Sequence, residues 1–196
     1  FDAVIATGSN NTARYFEQYF GKYPHIIRKN RSSVAIINEN DKLEDIKPLG
    51  KDIFQYFGLG CRSVSKLYFP KGYKIDTFFE SILDDYQDVT QNNKYANNYD
   101  YNKAVYLMGS NQLLDNGFLL LKEESSFVSP VGVINYEFYS SLKDLEKHLN
   151  ENKNELQCIV SSKKTPLQTL NFGDAQCPKL NSYADGIDTI SFVLGL

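Results

Sequence analysis

The residues best placed for chemistry surround Cys61, which lies three residues after Gly58 and directly after Gly60. Glycines at these positions remove side-chain bulk near the sulphur and permit backbone angles that other residues avoid. A thiolate presented in such a turn is a strong nucleophile for covalent catalysis. The alternative is a small buried cysteine in a tight turn, and isolated cysteines are more often of that kind.

A second candidate site lies near the start of the chain, where polar residues follow an apolar segment. Gly8 ends the strand that we predict for residues 1–7, and Ser9 can cap the helix that follows. The free N–H groups and the positive dipole end of such a helix favour an anion. An ordinary helix cap without a ligand is the more frequent role of this pattern.

The remaining cysteines, histidines and clustered cations give weaker signals. Cys158 lies in an apolar strand and is expected in the core, whereas Cys177 lies in a loop and receives no role. His25 and His148 lack the neighbours of a metal site, so we predict none. The cationic segment that begins at Arg28 could contact a phosphate of a cofactor or of coenzyme A, or simply face solvent.

Alternating and helical patterns predict the elements that position Cys61. A strand over residues 34–37 is followed by an amphipathic helix over residues 43–57, the Cys61 turn and a strand over residues 64–69. Further helices are expected at residues 75–83, 97–107 and 142–149, and further strands at residues 117–122, 131–136 and 158–160. This order predicts an α/β fold in three layers, a mostly parallel sheet flanked by helices.

The composition limits the classes of function. The chain has 196 residues, 42% of them hydrophobic, and a net charge of −3, so we expect a real core and no nucleic-acid surface. We find no membrane span and no signal peptide, and three cysteines without metal spacing indicate reduced thiols in the cytoplasm. Phe1 lies in a predicted strand and Met108 is the only methionine, so we expect the C-terminal part of a longer protein.

Several segments resemble a known enzyme group. Residues 58–61, Gly-Leu-Gly-Cys, resemble the Gly-Gln-x-Cys nucleophile motif of the aldehyde dehydrogenase superfamily. Residues 58–68 are similar to the fatty acyl-CoA reductases related to the reductase of bacterial bioluminescence. Residues 129–131, Ser-Pro-Val, resemble the Gly-Pro-Val of the superfamily, and residues 183–189 resemble the terminal segment of the same reductase branch.

This resemblance implies an aldehyde-dehydrogenase-like catalytic domain over residues 23–196, with residues 1–22 as the end of a dinucleotide-binding domain. It implies that Cys61 is the nucleophile, that Gly8 and Ser9 lie beside the cofactor, and that the cofactor is NADPH or NADH. The expected substrate is a fatty acyl-CoA or an acyl-protein thioester, which is reduced to an aldehyde. Relatives usually pair, so a homo-oligomer is an expectation that the residues leave open.

The chain departs from the superfamily pattern at several positions. Leu59 replaces the motif glutamine, and Ile27 aligns with the glutamate that serves oxidising members as a base for water. The loss of that base favours transfer of the acyl group to hydride or to coenzyme A. Ser126 aligns with the glutamate that often holds the cofactor ribose, and Glu123 or Glu124 could substitute for it. The asparagine that completes the superfamily's oxyanion hole would lie upstream of this chain.

Two other functions remain open. A non-catalytic domain could keep the fold for binding or oligomerisation, in which case Cys61 would be unreactive. A cysteine hydrolase ranks last, because neither histidine lies in a recognisable site motif. The acyl chain length and the choice between NADPH and NADH do not follow from these residues.

Overall fold

The computed structural model describes residues 1–196, which pack as two compact units. The first unit contains residues 1–31 and 178–196, and the second contains residues 32–177. The packing boundary after Arg31 lies beyond the functional boundary that we predict after residue 22, which stays a prediction. No helix is long and apolar enough to cross a membrane.

The first unit contains a strand–helix–strand motif. Strand β1 (Val4–Thr7) and strand β2 (His25–Arg28) pair in parallel, and helix α1 (Asn10–Phe20) connects them. The helix begins at the predicted Ser9 cap and ends at Gly21. Later in this unit, helix α7 (Thr189–Leu194) is capped by the side chain of Asp188.

The second unit is built on a six-stranded sheet with the order β5-β6-β7-β4-β3-β8. Only the edge strand β5 is antiparallel to its neighbour; every other pair is parallel. This arrangement confirms the predicted α/β fold class. The elements in chain order are β3 (Ser32–Ile36), α2 (Leu43–Ile46), α3 (Leu49–Phe54), β4 (Val64–Pro70), α4 (Ile75–Tyr86), α5 (Asn93–Met108), β5 (Leu113–Asp115), β6 (Leu120–Glu123), β7 (Val133–Tyr139), α6 (Leu142–Glu151) and β8 (Leu156–Ser161).

Both faces of this sheet are covered, because alternate residues of each strand point to opposite sides. Ala35 and Ile37 pack in a core cluster with residues of α2, α3, α4 and α5. Val34 and Ile36 pack in a second cluster with Leu145 of α6. The continuous apolar run of residues 34–37 therefore marks a central strand that is buried on both faces.

The segment before Cys61 differs from the predicted continuous helix over residues 43–57. It forms two short helices, α2 and α3, separated at Pro48, which lacks an N–H group for helical hydrogen bonding. A 3-10 turn (Gln55–Gly58) with two left-handed residues then ends the helical segment. Helix α5 also begins earlier than predicted, at Asn93, because the side chain of Asn92 caps it.

Candidate active site

Cys61 is exposed in a turn that leads directly into the central strand β4. Its carbonyl oxygen accepts a hydrogen bond of 2.8 Å from the hydroxyl of Ser33 on the neighbouring strand β3. The turn is closed by the N–H of Ser63, which donates to the carbonyl of Gly60 at 2.9 Å. The N–H of Cys61 makes no backbone hydrogen bond, so it is available to an oxyanion.

Three consecutive residues, which end three positions before Cys61, have left-handed backbone angles. The φ angles are 57° at Tyr56, 59° at Phe57 and 71° at Gly58. Glycine adopts this region freely, but aromatic residues do so at a cost of about 1–3 kcal/mol each. Tyr56 and Leu59 are also largely exposed, at 63% and 71%. The sequence predicted the glycine turn, but it gave no sign that two aromatic residues join it.

Arg62, next to Cys61, donates hydrogen bonds to Cys158 on β8 and to the loop that precedes Cys177. Its Nη1 donates to the carbonyl of Ala175 at 3.0 Å and to the Sγ of Cys158 at 3.3 Å. Cys158 is buried, as its apolar strand predicted. Burial raises the pKa of the Cys158 thiol, and the charge of Arg62 partly opposes this rise. Cys158 is therefore a poor candidate for a thiolate nucleophile.

The loop before Cys177 is anchored by a carboxylate that the sequence analysis missed. Asp52 is fully buried and accepts hydrogen bonds from the N–H groups of Gly173 at 2.6 Å and Ala175 at 3.0 Å. Burial raises the pKa of Asp52 to about 6, although both backbone hydrogen bonds lower it. Nothing in the local sequence distinguishes Asp52 from an exposed carboxylate, because its partners lie 121 and 123 residues away.

Two further contacts link the same loop to the Cys61 turn and to the helix α3 that precedes it. Gln176 donates from Nε2 to the hydroxyl of Ser63 at 3.3 Å. Cys177 is exposed, and its Sγ accepts a hydrogen bond of 3.2 Å from Lys51. The structure thus places Cys177 beside the α3 helix that leads to Cys61, although the sequence assigned it no role.

A small cavity lies beside the Phe57–Gly58 segment that leads into the Cys61 turn. Its volume is about 30 Å³, room for only one or two water molecules. Phe57 and Gly58 line it from the turn, and Pro130 and Gly132 line it from the loop before β7. The Ser-Pro-Val segment that resembles the superfamily motif is therefore packed against the turn that carries Cys61.

The carboxylates proposed for ribose binding differ in their availability. Both oxygens of Glu124 are occupied, because Lys122 donates to Oε2 at 3.0 Å and the N–H of Ser125 donates to Oε1 at 2.9 Å. These hydrogen bonds lower the pKa of Glu124. Glu123, at the end of β6, is exposed. Of the two candidates, Glu123 is the one with an unoccupied carboxylate.

Within the first unit, Gly8 and Ser9 lie at the start of α1. The hydroxyl of Ser9 accepts the N–H of Thr12 at 3.1 Å, as expected of a helix cap. Arg28 lies opposite Thr7 in the β1–β2 register, and its Nε is buried without a hydrogen-bond partner. The Arg28 guanidinium also donates from Nη2 to the hydroxyl of Thr189 at 3.0 Å, so this end of the unit presents a capped helix start and a partly paired cation.

The contacts of the two histidines are not those of a catalytic triad. The Nδ1 of His25 bonds to the carbonyl of Tyr23 at 2.8 Å, and its Nε2 lies 3.5 Å from the carboxylate of Glu17. The ring of His148 lies 5.8 Å from the ring of Phe127. The structure therefore offers no observation in favour of a cysteine hydrolase.

Sequence comparison and structural comparison give different results for this chain. No protein-family model matches it, and no curated protein matches it by sequence. The fold, however, is similar to that of solved aldehyde dehydrogenases. With the indole-3-acetaldehyde dehydrogenase AldA of P. syringae, solved in complex with NAD+ and IAA, the TM-score is 0.60 at 11% identity, covering 86% of this chain and 41% of that chain.

Two further structures show the same relationship. The aldehyde dehydrogenase KauB from Pseudomonas aeruginosa gives a TM-score of 0.58 at 12% identity, over 84% of this chain and 40% of that chain. A Mycobacterium tuberculosis aldehyde dehydrogenase complexed with NAD+ gives 0.58 at 13% identity, over 82% and 40%. The chain thus spans about two fifths of the length of these enzymes, and it has the fold of that part of an aldehyde dehydrogenase.

Proposed function

We propose that this chain carries the catalytic cysteine of a nicotinamide-dependent oxidoreductase that reduces a fatty acyl thioester to an aldehyde. The observation that supports this most strongly is the placement of Cys61. Its sulphur is exposed, its N–H is unpaired, and its turn is tied to the central strands of an aldehyde-dehydrogenase-like sheet. The expected substrate is acyl-CoA or an acyl-protein thioester, in the cytoplasm.

The first half of the reaction transfers the acyl group to the protein. The thiolate of Cys61 attacks the thioester carbonyl, the bond from carbon to the leaving sulphur breaks, and the thiolate of coenzyme A departs. The N–H of Cys61 would donate to the oxyanion that forms in this step. The acyl group is then held as a thioester on Cys61, so that one difficult reaction is divided into two easier ones.

The second half reduces this acyl group. A reduced nicotinamide, when bound, would supply the hydride that this reduction requires, and Gly8, Ser9 and Arg28 are the residues of this chain that could hold its phosphates. The resulting oxyanion faces the same N–H of Cys61. When the carbon–sulphur bond breaks, the aldehyde leaves and the thiolate of Cys61 is restored.

The fate of the acyl group depends on whether a base can activate water. If Ile27 occupies the position of the superfamily base, no carboxylate is available there to assist hydrolysis. Ile27 is an apolar, partly buried residue of β2, opposite Ala6. This supports reduction over release as a fatty acid.

A mass measurement tests the proposal. The full-length protein is incubated with an acyl-CoA and weighed intact, alongside the Cys61→Ala variant. We expect one acyl adduct on the wild type and none on the variant. An adduct that survives the substitution, or no adduct on the wild type, would show that Cys61 is not the nucleophile.

A non-catalytic domain is the second candidate, and one observation favours it. The hydrogen bond at Cys61 is made by its backbone carbonyl with Ser33, and its exposed thiol has none. Alkylation at neutral pH separates the two candidates. A catalytic Cys61 should react much faster than the exposed Cys177, whereas equal rates would support the non-catalytic domain.

A further inference from the structure

The loop between β6 and β7 is held by a buried lysine. The side chain of Lys66, on β4, is 0% exposed. Its Nζ donates to the carbonyl oxygens of Glu124 at 3.0 Å and Ser125 at 2.6 Å, and to the carboxylate of Glu137. All three N–H donors of the ammonium group are therefore directed at oxygen atoms.

Two more side chains hold the rest of this loop. Asn135, on β7, donates from Nδ2 to the carbonyl oxygens of Ser126 at 3.0 Å and Val128 at 2.9 Å. Ser65, next to Lys66, donates to the carbonyl of Phe127 at 2.7 Å. Five consecutive carbonyl oxygens, at residues 124–128, thus accept hydrogen bonds from side chains of β4 and β7. The carbonyl groups of this loop are therefore satisfied by side chains in place of a sheet ladder.

A buried lysine is costly unless its charge is compensated. Burial lowers the pKa of Lys66, and the carboxylate of Glu137 opposes that effect. The ammonium also lies 5.1 Å from the ring of Tyr68 and 5.6 Å from the ring of Phe127. A buried apolar residue at this position would avoid this cost, but it could not donate hydrogen bonds to the loop carbonyls. We therefore infer that the role of the buried ammonium group is to hold this loop.

The held loop leads directly to the wall of the small cavity that Phe57 and Gly58 line ahead of Cys61. The next residues, 129–132, line that cavity against Phe57 and Gly58. Lys66 itself follows Cys61 by five residues along β4. One strand therefore both begins close to Cys61 and fixes the segment that immediately precedes the cavity-lining residues 129–132.

We propose that Lys66 is a positioning residue for acyl-thioester binding, acting through residues 124–128 to hold the wall beside the Cys61 turn. This rests on the proposed function of Cys61. With the loop released, an extended acyl thioester loses its aligned approach to the sulphur. A small reagent that needs no wall still reaches Cys61, because that cysteine is exposed.

The test compares two rates at Cys61 in the full-length protein. One is acylation by octanoyl-CoA, followed by intact mass, and the other is alkylation by iodoacetamide, with Cys61 resolved by peptide mapping. The variants are Lys66→Met, Lys66→Arg and Asn135→Ala. Lys147→Met is the matched control, because that lysine side chain is 78% exposed on α6. Amide hydrogen exchange at residues 124–128 reports whether the loop is released.

We expect Lys66→Met to lower the ratio of acylation to alkylation by on the order of 100-fold, as misplacement by about 1 Å does elsewhere. Exchange in the loop should rise at the same time, and Lys66→Arg should restore part of both. If Lys66→Met does not fold, Asn135→Ala decides, because it removes two neutral hydrogen bonds and leaves no charge unpaired. Lys147→Met should resemble the wild type.

Three results would overturn the inference while leaving the proposed function intact. The first is a released loop with a wild-type ratio of the two rates, the second is a loop that stays protected in both Lys66→Met and Asn135→Ala, and the third is an equal loss of both rates. A wild-type protein that forms no acyl adduct refutes the proposed function, and the inference falls with it. Equal losses of both rates would show a purely structural role for Lys66.

Discussion

The buried carboxylate of Asp52 makes the stability of this chain depend on pH in an unusual direction. Its side chain is fully buried and accepts the N–H groups of Gly173 and Ala175. Burial raises its pKa from 3.8 to about 6. Because the folded state holds the proton more tightly than the unfolded state does, protonation of Asp52 favours folding.

The sign and the size of the effect follow from these two values. The stabilising contribution is complete below pH 3.8, decreases as the pH rises, and is lost above about 6. At about 1.4 kcal/mol for each pKa unit, the difference between the two values corresponds to about 3 kcal/mol. Asp52 alone should therefore make the chain about 3 kcal/mol less stable at pH 7.5 than at pH 3.5, with most of the change between pH 4 and 6.5.

Urea unfolding across this pH range isolates the contribution of Asp52 when the wild type is compared with Asp52→Asn. Asparagine does not titrate, so the difference in unfolding free energy between the two proteins should change with pH by about 3 kcal/mol. The variant also loses one acceptor oxygen, which lowers its stability by about 1–3 kcal/mol at low pH. Asp84→Asn is the control, because Asp84 is exposed.

A free-energy difference between wild type and Asp52→Asn that stays constant from pH 4 to 7.5 would refute this reasoning. A difference that changes in the opposite direction would show that the two backbone hydrogen bonds outweigh burial, so that the pKa of Asp52 lies below 3.8.

Three further predictions concern packing, backbone strain and thiol reactivity. Gly50→Ala should destabilise the chain by about 1–3 kcal/mol in urea unfolding, because the new Cβ would lie 2.2 Å from the ring of Tyr86. At Tyr56, whose φ is 57°, glycine should give a protein about 1 kcal/mol more stable than alanine in the same assay. Iodoacetamide should alkylate Cys61 much faster than Cys158, because burial raises the pKa of Cys158 and blocks access to it.

Each of these predictions has a result that would contradict it. If Gly50→Ala costs the same with and without Tyr86→Ala, the aromatic ring is not the obstacle. If alanine at Tyr56 is as stable as glycine, the turn is not left-handed in solution. Faster alkylation of Cys158 than of Cys61, mapped by peptide mass, would show that the buried cysteine becomes accessible.

The sheet and the glycine turn that contains Cys61 were predictable from local patterns. The apolar run at residues 34–37 marks a central strand because a strand buried on both faces needs no polar side. The Ser9 cap of α1 also follows from local chemistry, since its hydroxyl bonds to the N–H of Thr12 three residues later. Strand β2 was missed because Arg28 and its charged neighbours suggested a solvent-exposed segment.

The parts of the site that could not be predicted depend on contacts between distant residues. Lys66 looks like an exposed strand residue, yet its partners lie 58, 59 and 71 residues away and hold it at 0% exposure. The burial of Asp52 could not be predicted for the same reason, because its hydrogen-bond partners lie 121 and 123 residues away. The left-handed angles at Tyr56 and Phe57 oppose the local preference of aromatic residues, so no local sequence rule predicts them.

The most direct test of the central claim is the fate of the acyl group once it is attached to Cys61. The acylated full-length protein is separated from free acyl-CoA, and its mass is followed with and without NADPH or NADH. The account predicts slow loss in buffer alone and rapid loss with the reduced nicotinamide, together with one aldehyde for each acyl group released. Loss at the same rate in both samples, with fatty acid as the product, would contradict it.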